Sequence, residues 1–471
     1  MFAENRRRLI SALKPQAGPK SFVLLEGGVE KNRYHTDAED LPFRQESYFF
    51  WAFGVHESEC YAAIEVETGK SILFPPKLAL DYAIWLGKIE PESWFKEKYE
   101  VDEVHFHSGS TVQDVLSAHG AEQVYLLRAY CEDSGNWLEP SQSLTAMTKF
   151  KLDTTTLYPV FAECRVIKTD AELEVMRYAT KIATDAHKEV MRKIKPNMYE
   201  YQMESLFRHI SYFTGGCRHL AYTCIAATGE NGAILHYGHA NAPNEKLIKD
   251  GDMCLFDMGP EYNCYASDVT CSFPCNGKFT EKQKIVYNAV LDARNAVFEA
   301  AKPGVRWTDM HILAERKVLE HLKVAGILIG DVDEMLKKRV GAVFQPHGLG
   351  HFIGLDVHDQ GGYLGDAIPR SKEPGLKSLR TTRTLKERMV ITIEPGCYFI
   401  DTLLDRALAD ENLKGYFNND VLKGYRGIGG VRIEDDVVIW AKGNENLSGA
   451  LPRTVEEIEN FMAKENENLK H

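Results

Sequence analysis

Several things are missing from this sequence, and each absence closes off a class of protein. No stretch approaches the roughly 20 consecutive apolar residues that a membrane-spanning helix needs, and the longest apolar run is VAGILIG at 324–330. No membrane partner is therefore expected. The opening MFAENRRRLISALK lacks the apolar core of a secretory signal. The ten cysteines contain no CxxC pair, so they read as reduced, buried thiols of a cytoplasmic protein rather than a disulfide framework or zinc site. Positive charge is also short, with 56 Lys and Arg against 68 Asp and Glu. Nucleic-acid binding needs clustered cations. The one basic cluster, Arg6-Arg7-Arg8, reads as a helix face beside Leu9, Ile10 and Leu13, so no nucleic-acid partner is expected. HExxH, GxSxG and Walker A motifs are absent, and GLGHFIG is not the dinucleotide fingerprint.

What remains is an ordinary soluble composition, 44% hydrophobic and 26% charged over 471 residues, long enough for about two to four domains. Residues 1–158 read as an α/β domain. Strands are expected at 21–28 and 48–55, and a hairpin at 60–76 turns on Thr68-Gly69. A helix is expected at 111–120 and a strand at 123–129. The aromatic group Tyr48, Phe49, Phe50, Trp51 and Phe53 reads as core or dimer interface. The pattern changes at 155–165, which divides the chain into domains 1–158 and 159–471.

The second domain opens with a capped helix. Thr169 and Glu172 form a capping box, and Leu173, Met176, Ile182, Ala186, Val190 and Ile194 make an apolar stripe ending at Pro196. Three more helices are expected at 199–216, from Thr280 to about 303, and at 308–323. Apolar, β-rich segments lie between and after them. Four helices against mostly antiparallel strands give an α+β domain, and the tail 463–471 reads as frayed.

Four of the β segments carry an acid: Asp257 in LFDMG, Asp268 in ASDVT, Glu394 in ITIEPG and Glu434 in VRIEDD. A carboxylate in a half-buried strand is costly unless it is paired or binds a metal. Arg432 and Glu434, two apart, share one strand face; the arginine is either a simple ion-pair partner or a substrate anchor. Residues 344–359, FQPHGLGHFIGLDVHD, add His347, His351 and His358. Gly348 and Gly350 disfavour a helical pair of ligands there, which leaves open which histidine holds a metal. Four carboxylates match two divalent cations, and oxygen-rich donors with one imidazole suit Mn²⁺ or Co²⁺ better than structural Zn²⁺. Such a pair would hold a shared hydroxide for attack on a carbonyl or phosphoryl centre. The residues alone imply a dinuclear metal hydrolase.

The ordered set LFDMGPEYNCYASDVTCSF, HGLGHFIGLDVHD, TIEPGCYF and GGVRIEDDVV resembles the pita-bread metallopeptidases, the fold of creatinase and methionine aminopeptidase. The segments FRQESYFFWAFGV, LHYGHANAPN, SLRTTR and LPRTVEEIE look like the eukaryotic prolidases within that family, and the likeness spans nearly the whole chain. The resemblance implies metal ligation by Asp257, Asp268, His351, Glu394 and Glu434, with Asp268 and Glu434 bridging. It implies Glu394 as general base, and His236 and His358 as substrate-binding and catalytic residues. His347 would lie near substrate, Arg380 would grip a free C-terminal carboxylate, and Arg432 would steady the site. The implied cofactor is a pair of divalent ions, Mn²⁺ ahead of Co²⁺ or Zn²⁺. The implied activity is hydrolysis of small Xaa-Pro dipeptides by a homodimer whose N-terminal domain serves dimerisation and active-site capping. Two alternatives stay open: an aminopeptidase P that releases the first residue of longer Xaa-Pro peptides, and a non-catalytic peptide-binding module. Pro260 departs from the family pattern, where glycine is expected.

Overall fold

The computed structural model describes residues 1–39 and 41–468. It divides into two compact units, Met1–Arg165 and Val166–His471. The helix Leu157–Val166 lies where the sequence pattern changes.

The first unit is built on a six-stranded mixed sheet. Its spatial order is Glu103–Val104, Ser71–Phe74, Tyr61–Glu65, Ser21–Glu26, Gln123–Leu126 and Lys151–Asp153. The hairpin forms as expected: Tyr61–Glu65 pairs antiparallel with Ser71–Phe74, and Gly69 takes a positive φ of 77° in the turn. The expected strand at 48–55 is instead the helix Ser47–Phe53. Glu46 caps its first turn by accepting the Phe49 amide at 2.8 Å, and Gly54 ends it in the left-handed region. All seven helical residues are buried. A run that is apolar on every face has no periodicity to separate strand from helix. The caps decided it.

The second unit contains the four expected helices, Asp170–Lys193, Glu200–Gly215, Glu281–Ala300 and Trp307–Val324. Capping boxes at Thr169/Glu172 and Thr280/Gln283 are both made. The sequence reading missed further helices, among them Asp401–Ala409 and Val455–Asn468. The second of these runs into the tail expected to fray; residues 469–471 of that tail lie outside the described residues. No described helix is long and apolar enough to cross a membrane. The strands of this unit pair antiparallel throughout.

One detail corrects the sequence reading and builds the site. The four acids do not sit inside continuous strands. Asp257 ends the strand Met253–Asp257. Asp268 lies in the gap between Tyr265–Ala266 and Thr270–Pro274. Glu394 lies between Val390–Ile393 and Gly396–Tyr398, and Glu434 between Gly430–Arg432 and Asp435–Ile439. At the Glu394 gap the cause is local, because Pro395 cannot donate to a ladder. The four acids come together all the same: the charges of Asp268, Glu394 and Asp257 all bear on the Glu434 carboxyl.

Candidate metal centre and active site

Asp268, His351 and Glu434 each present a donor atom within 4.8 Å of the others, and all three are buried. The loop carrying His351 reaches them because it lies along the strand Val390–Ile393. The His351 amide donates to Thr392 Oγ1 at 3.0 Å, and the Thr392 and Glu394 amides donate to the His351 and Leu349 carbonyls at 2.9 Å each. Gly350 permits the approach, since a Cβ there would stand 2.0 Å from the Thr392 carbonyl oxygen. There is no helix between His347 and His351, as the two glycines implied.

The protonation of His351 follows from its neighbours. Its Nδ1 lies 3.0 Å from the Phe352 carbonyl, which can only accept, so Nδ1 carries the proton. Nε2 therefore presents a lone pair. It faces Asp268 Oδ2 and Glu394 Oε1, each at 3.4 Å. Three groups that can only accept are thus aimed at one point. Burial, then the neighbouring charge of Asp257, pushes the Asp268 carboxyl well above its ordinary range. Burial with Asp268 and Glu394 does the same to Glu434, and Glu394 is pushed up to about 7, first by burial. Buried carboxylates held this close repel one another, and a divalent cation is the counter-charge that such a group binds. A divalent cation fits this donor set, which is oxygen-rich with one imidazole.

Asp257 stands apart from the tight trio. Its carboxylate accepts Tyr222 Oη–H at 2.6 Å and Arg432 Nη2 at 2.7 Å. Arg432 also donates through Nη1 to Tyr398 Oη at 2.8 Å and through Nε to Thr270 Oγ1 at 3.2 Å. Thr270 Oγ1–H donates in turn to Glu434 Oε2 at 2.6 Å. Arg432 and Glu434 therefore do share a side, but the arginine's ion-pair partner is Asp257. Tyr398 in turn donates to His347 Nε2 at 2.8 Å, while His347 Nδ1 donates to the Gly348 carbonyl at 2.7 Å. Burial and the Arg432 charge bring His347 down to about 3, so it is neutral and its protons are fixed.

The remaining residues expected at the site lie around this centre. The rings of His358 and His351 meet edge to face at 4.5 Å between centroids. His236 is near enough to Arg380 and Arg432 that, after burial, their charges lower its pKa. The neighbouring Tyr237 anchors that loop through its hydroxyl to the buried Glu200 at 2.6 Å. His239 accepts the Asn241 amide at 3.1 Å, an ordinary loop contact. Sequence reasoning missed Tyr222, Thr270, Thr392 and Tyr398. Three of them had a signal, because Thr270, Thr392 and Tyr398 fall an even number of residues from Asp268 or Glu394 within runs that read as strands, although the structure breaks those strands at the acids. Tyr222 had none. Pro260 disturbs nothing here: it begins the strand Pro260–Tyr262, which pairs with His219–Leu220.

Comparison with known proteins agrees with this geometry. Residues 174–441 match the model of metallopeptidase family M24, and residues 2–125 match the aminopeptidase P N-terminal domain. The chain is 54% identical to the Xaa-Pro dipeptidases of Rattus norvegicus and Homo sapiens, over 98% of this chain and 93% of each. A solved structure of Zn-substituted E. coli aminopeptidase P in complex with product is 31% identical and covers 99% of both chains, with a TM-score of 0.80. An acceptor-only cluster raised at strand breaks, inside a segment matched over most of its length, places this chain in metallopeptidase family M24.

Proposed function

We propose that this chain hydrolyses Xaa-Pro dipeptides, using two divalent cations held by Asp257, Asp268, His351, Glu394 and Glu434. The observation that carries the hydrolytic reading is the meeting of His351 Nε2 with two carboxylates at 3.4 Å, an arrangement that calls for a cation. The substrate class is supported by the similarity to Xaa-Pro dipeptidases. When bound, the cations supply Lewis-acid polarisation of the scissile carbonyl and acidify the attacking water. Mn²⁺ is favoured over Co²⁺ or Zn²⁺ because oxygen donors outnumber the imidazole.

The chain's own residues do the rest. Glu394, whose carboxylate lies beside His351 Nε2 at 3.4 Å, would take a proton from water and return it to the leaving nitrogen. An Xaa-Pro bond is a tertiary amide whose nitrogen must be protonated to leave. His236 and His358 hold the substrate carbonyl and balance charge as it develops. Neutral His347, fixed by Tyr398, orients the substrate without adding charge. Arg380 receives the free carboxylate of proline, and Arg432 holds the Asp257 carboxylate in place at 2.7 Å.

Arg380 also separates this reading from the aminopeptidase P alternative, which draws on the solved neighbour. Turnover of Gly-Pro and Gly-Pro-Gly is to be measured after chelation and Mn²⁺ add-back. Preference for Gly-Pro is expected; preference for the tripeptide would establish the alternative.

A cytoplasmic homodimer completes the proposal. Its supports are the ten free cysteines, nine of them buried, and an exposed apolar segment around the helix Tyr82–Leu86. Ile84 and Trp85 there are 75% and 83% exposed, more apolar surface than an isolated chain ordinarily leaves in water. Native mass spectrometry of Ile84→Glu is expected to show monomer where the unmodified chain shows dimer.

A further inference from the structure

The segment that carries Arg380 has almost no regular structure: one short turn, Leu376–Ser378, interrupts the run between 344 and 389. It is braced instead by its own side chains. Thr381 Oγ1–H donates to the Gly362 carbonyl at 2.9 Å, and Thr382 Oγ1–H to the Ile368 carbonyl at 2.6 Å. Arg383 Nε donates to Asp366 at 3.2 Å. The limbs of the loop touch at Gly362, where a Cβ would stand 2.1 Å from the Arg380 carbonyl oxygen.

Within this brace two donors converge on a single acceptor, the carbonyl of Leu379. Tyr363 Oη–H reaches it at 2.6 Å and Arg370 Nη1 at 2.8 Å. The Arg370 guanidinium also stacks over the Tyr363 ring at 4.3 Å and donates to the Lys377 carbonyl at 3.3 Å. A carbonyl oxygen has two lone pairs, and here two side chains take them. The Leu379 carbonyl belongs to the peptide bond that joins Leu379 to Arg380, so its plane sets where the Arg380 side chain starts. Tyr363 and Arg370 are only partly buried, which makes them replaceable without opening a core.

We propose that Tyr363 and Arg370 are positioning residues for substrate length: they fix the Leu379–Arg380 peptide and so aim Arg380 at the carboxylate of a dipeptide. This rests on the reading of Arg380 as the carboxylate anchor. The carboxylate of a tripeptide lies one residue further along, about 3.3–3.6 Å away in an extended chain. Loosening the brace therefore penalises dipeptides selectively. It acts on binding, not on the chemistry, so KM moves and kcat does not.

The test compares the Mn²⁺-loaded full chain with Tyr363→Phe, Arg370→Met and Arg380→Met on Gly-Pro and Gly-Pro-Gly. Losing one hydrogen bond at the Leu379 carbonyl should raise KM for Gly-Pro about fivefold to tenfold. The tripeptide KM and both kcat values should stay within about twofold on the same scale. Arg380→Met should show the larger rise. If Arg380→Met raises KM while Tyr363→Phe and Arg370→Met do not, the brace is refuted and the anchor stands. If Arg380→Met itself leaves KM for Gly-Pro unchanged, the anchor fails and the brace with it. Equal losses on both peptides, with a lowered melting temperature, would make the two residues ordinary structural ones and overturn the proposal.

Discussion

Glu434 and Asp435 are neighbours in the chain, both are buried, and their carboxyls are shifted in opposite directions. Glu434 turns into the candidate metal centre, where burial and the charges of Asp268, Glu394 and Asp257 hold it well above its ordinary range. Asp435 turns the other way. Burial works against its charge too, but Arg453 and Arg294, each 2.7 Å away, outweigh it, and its carboxyl falls well below the usual range. Ser448 donates a further hydrogen bond to it. Behind the site, then, Asp435 is compensated by two guanidinium groups; within the site lies an acid cluster whose carboxyls are raised instead. Arg453 ties the two together, donating to the Thr270 carbonyl at 2.8 Å and the Glu434 carbonyl at 2.6 Å. The lesson is that burial of an acid says little until its counter-charge is counted.

The largest effect expected from this contrast is loss of catalysis on the site side. Asp268→Asn should lower turnover of Gly-Pro by at least about a thousandfold, or about 4 kcal/mol at 1.36 kcal/mol per tenfold. The metal-free variant should melt no lower than the unmodified chain, because a repelling charge has been removed. A metal-free melting temperature that drops sharply would break the comparison. On the compensated side the outcome should reverse. Asp435→Asn leaves Arg453 and Arg294 short of a buried partner, and urea unfolding should read a loss of about 3–5 kcal/mol.

Metal return gives the next effect in size. Mn²⁺ at about 100 times its Kd should stabilise the chelated protein by about 2.7 kcal/mol, read as a rise in melting temperature that Asp268→Asn abolishes. The pH dependence is smaller and its sign follows from the shifts. Glu394 rises from its ordinary 4.5 to about 7 in the fold, so it favours folding below pH 4.5, and that contribution disappears as pH climbs to about 7. The depressed Asp435 contributes stability above its ordinary 3.8 and loses it only as pH falls, so it is silent across that window. Stability of the metal-free chain against unfolding should therefore fall steadily from pH 4.5 to 7. Asp268→Asn should flatten the slope, since Asp268 is one of the charges raising Glu394. The smallest change is Ser448→Ala, expected to cost about 1 kcal/mol of stability with kcat/KM unaltered.

Much of the fold was readable in advance where the signal is local. The Thr169/Glu172 and Thr280/Gln283 boxes placed two helix starts, and Thr68-Gly69 placed a hairpin. The reading failed at 48–55, where an all-apolar run carries no period, and at Val455–Asn468, whose buried Ile458 and Met462 give a four-residue repeat that was overlooked. At the site, the residue types and their order implied a metal hydrolase, and Asp268, His351 and Glu434 do converge. Even spacing from the acids within strand-like runs would also have pointed to Thr270, Thr392 and Tyr398, although the acids themselves sit where those strands break. Tyr222 meets Asp257 from 35 residues away, and no pattern in the sequence announces that.

By itself the sequence determined the caps, the strand and helix periods, and the supply of acids and histidines, because each depends on neighbours a few residues apart. Only the tertiary structure decided which acid would be left without a counter-charge. Arg294 reaches Asp435 across 141 positions and Arg453 across 18, while Glu434, one residue away, receives neither guanidinium on its carboxylate. Coulomb energy depends on distance in space and on the local dielectric, and neither quantity is written in the order of residues.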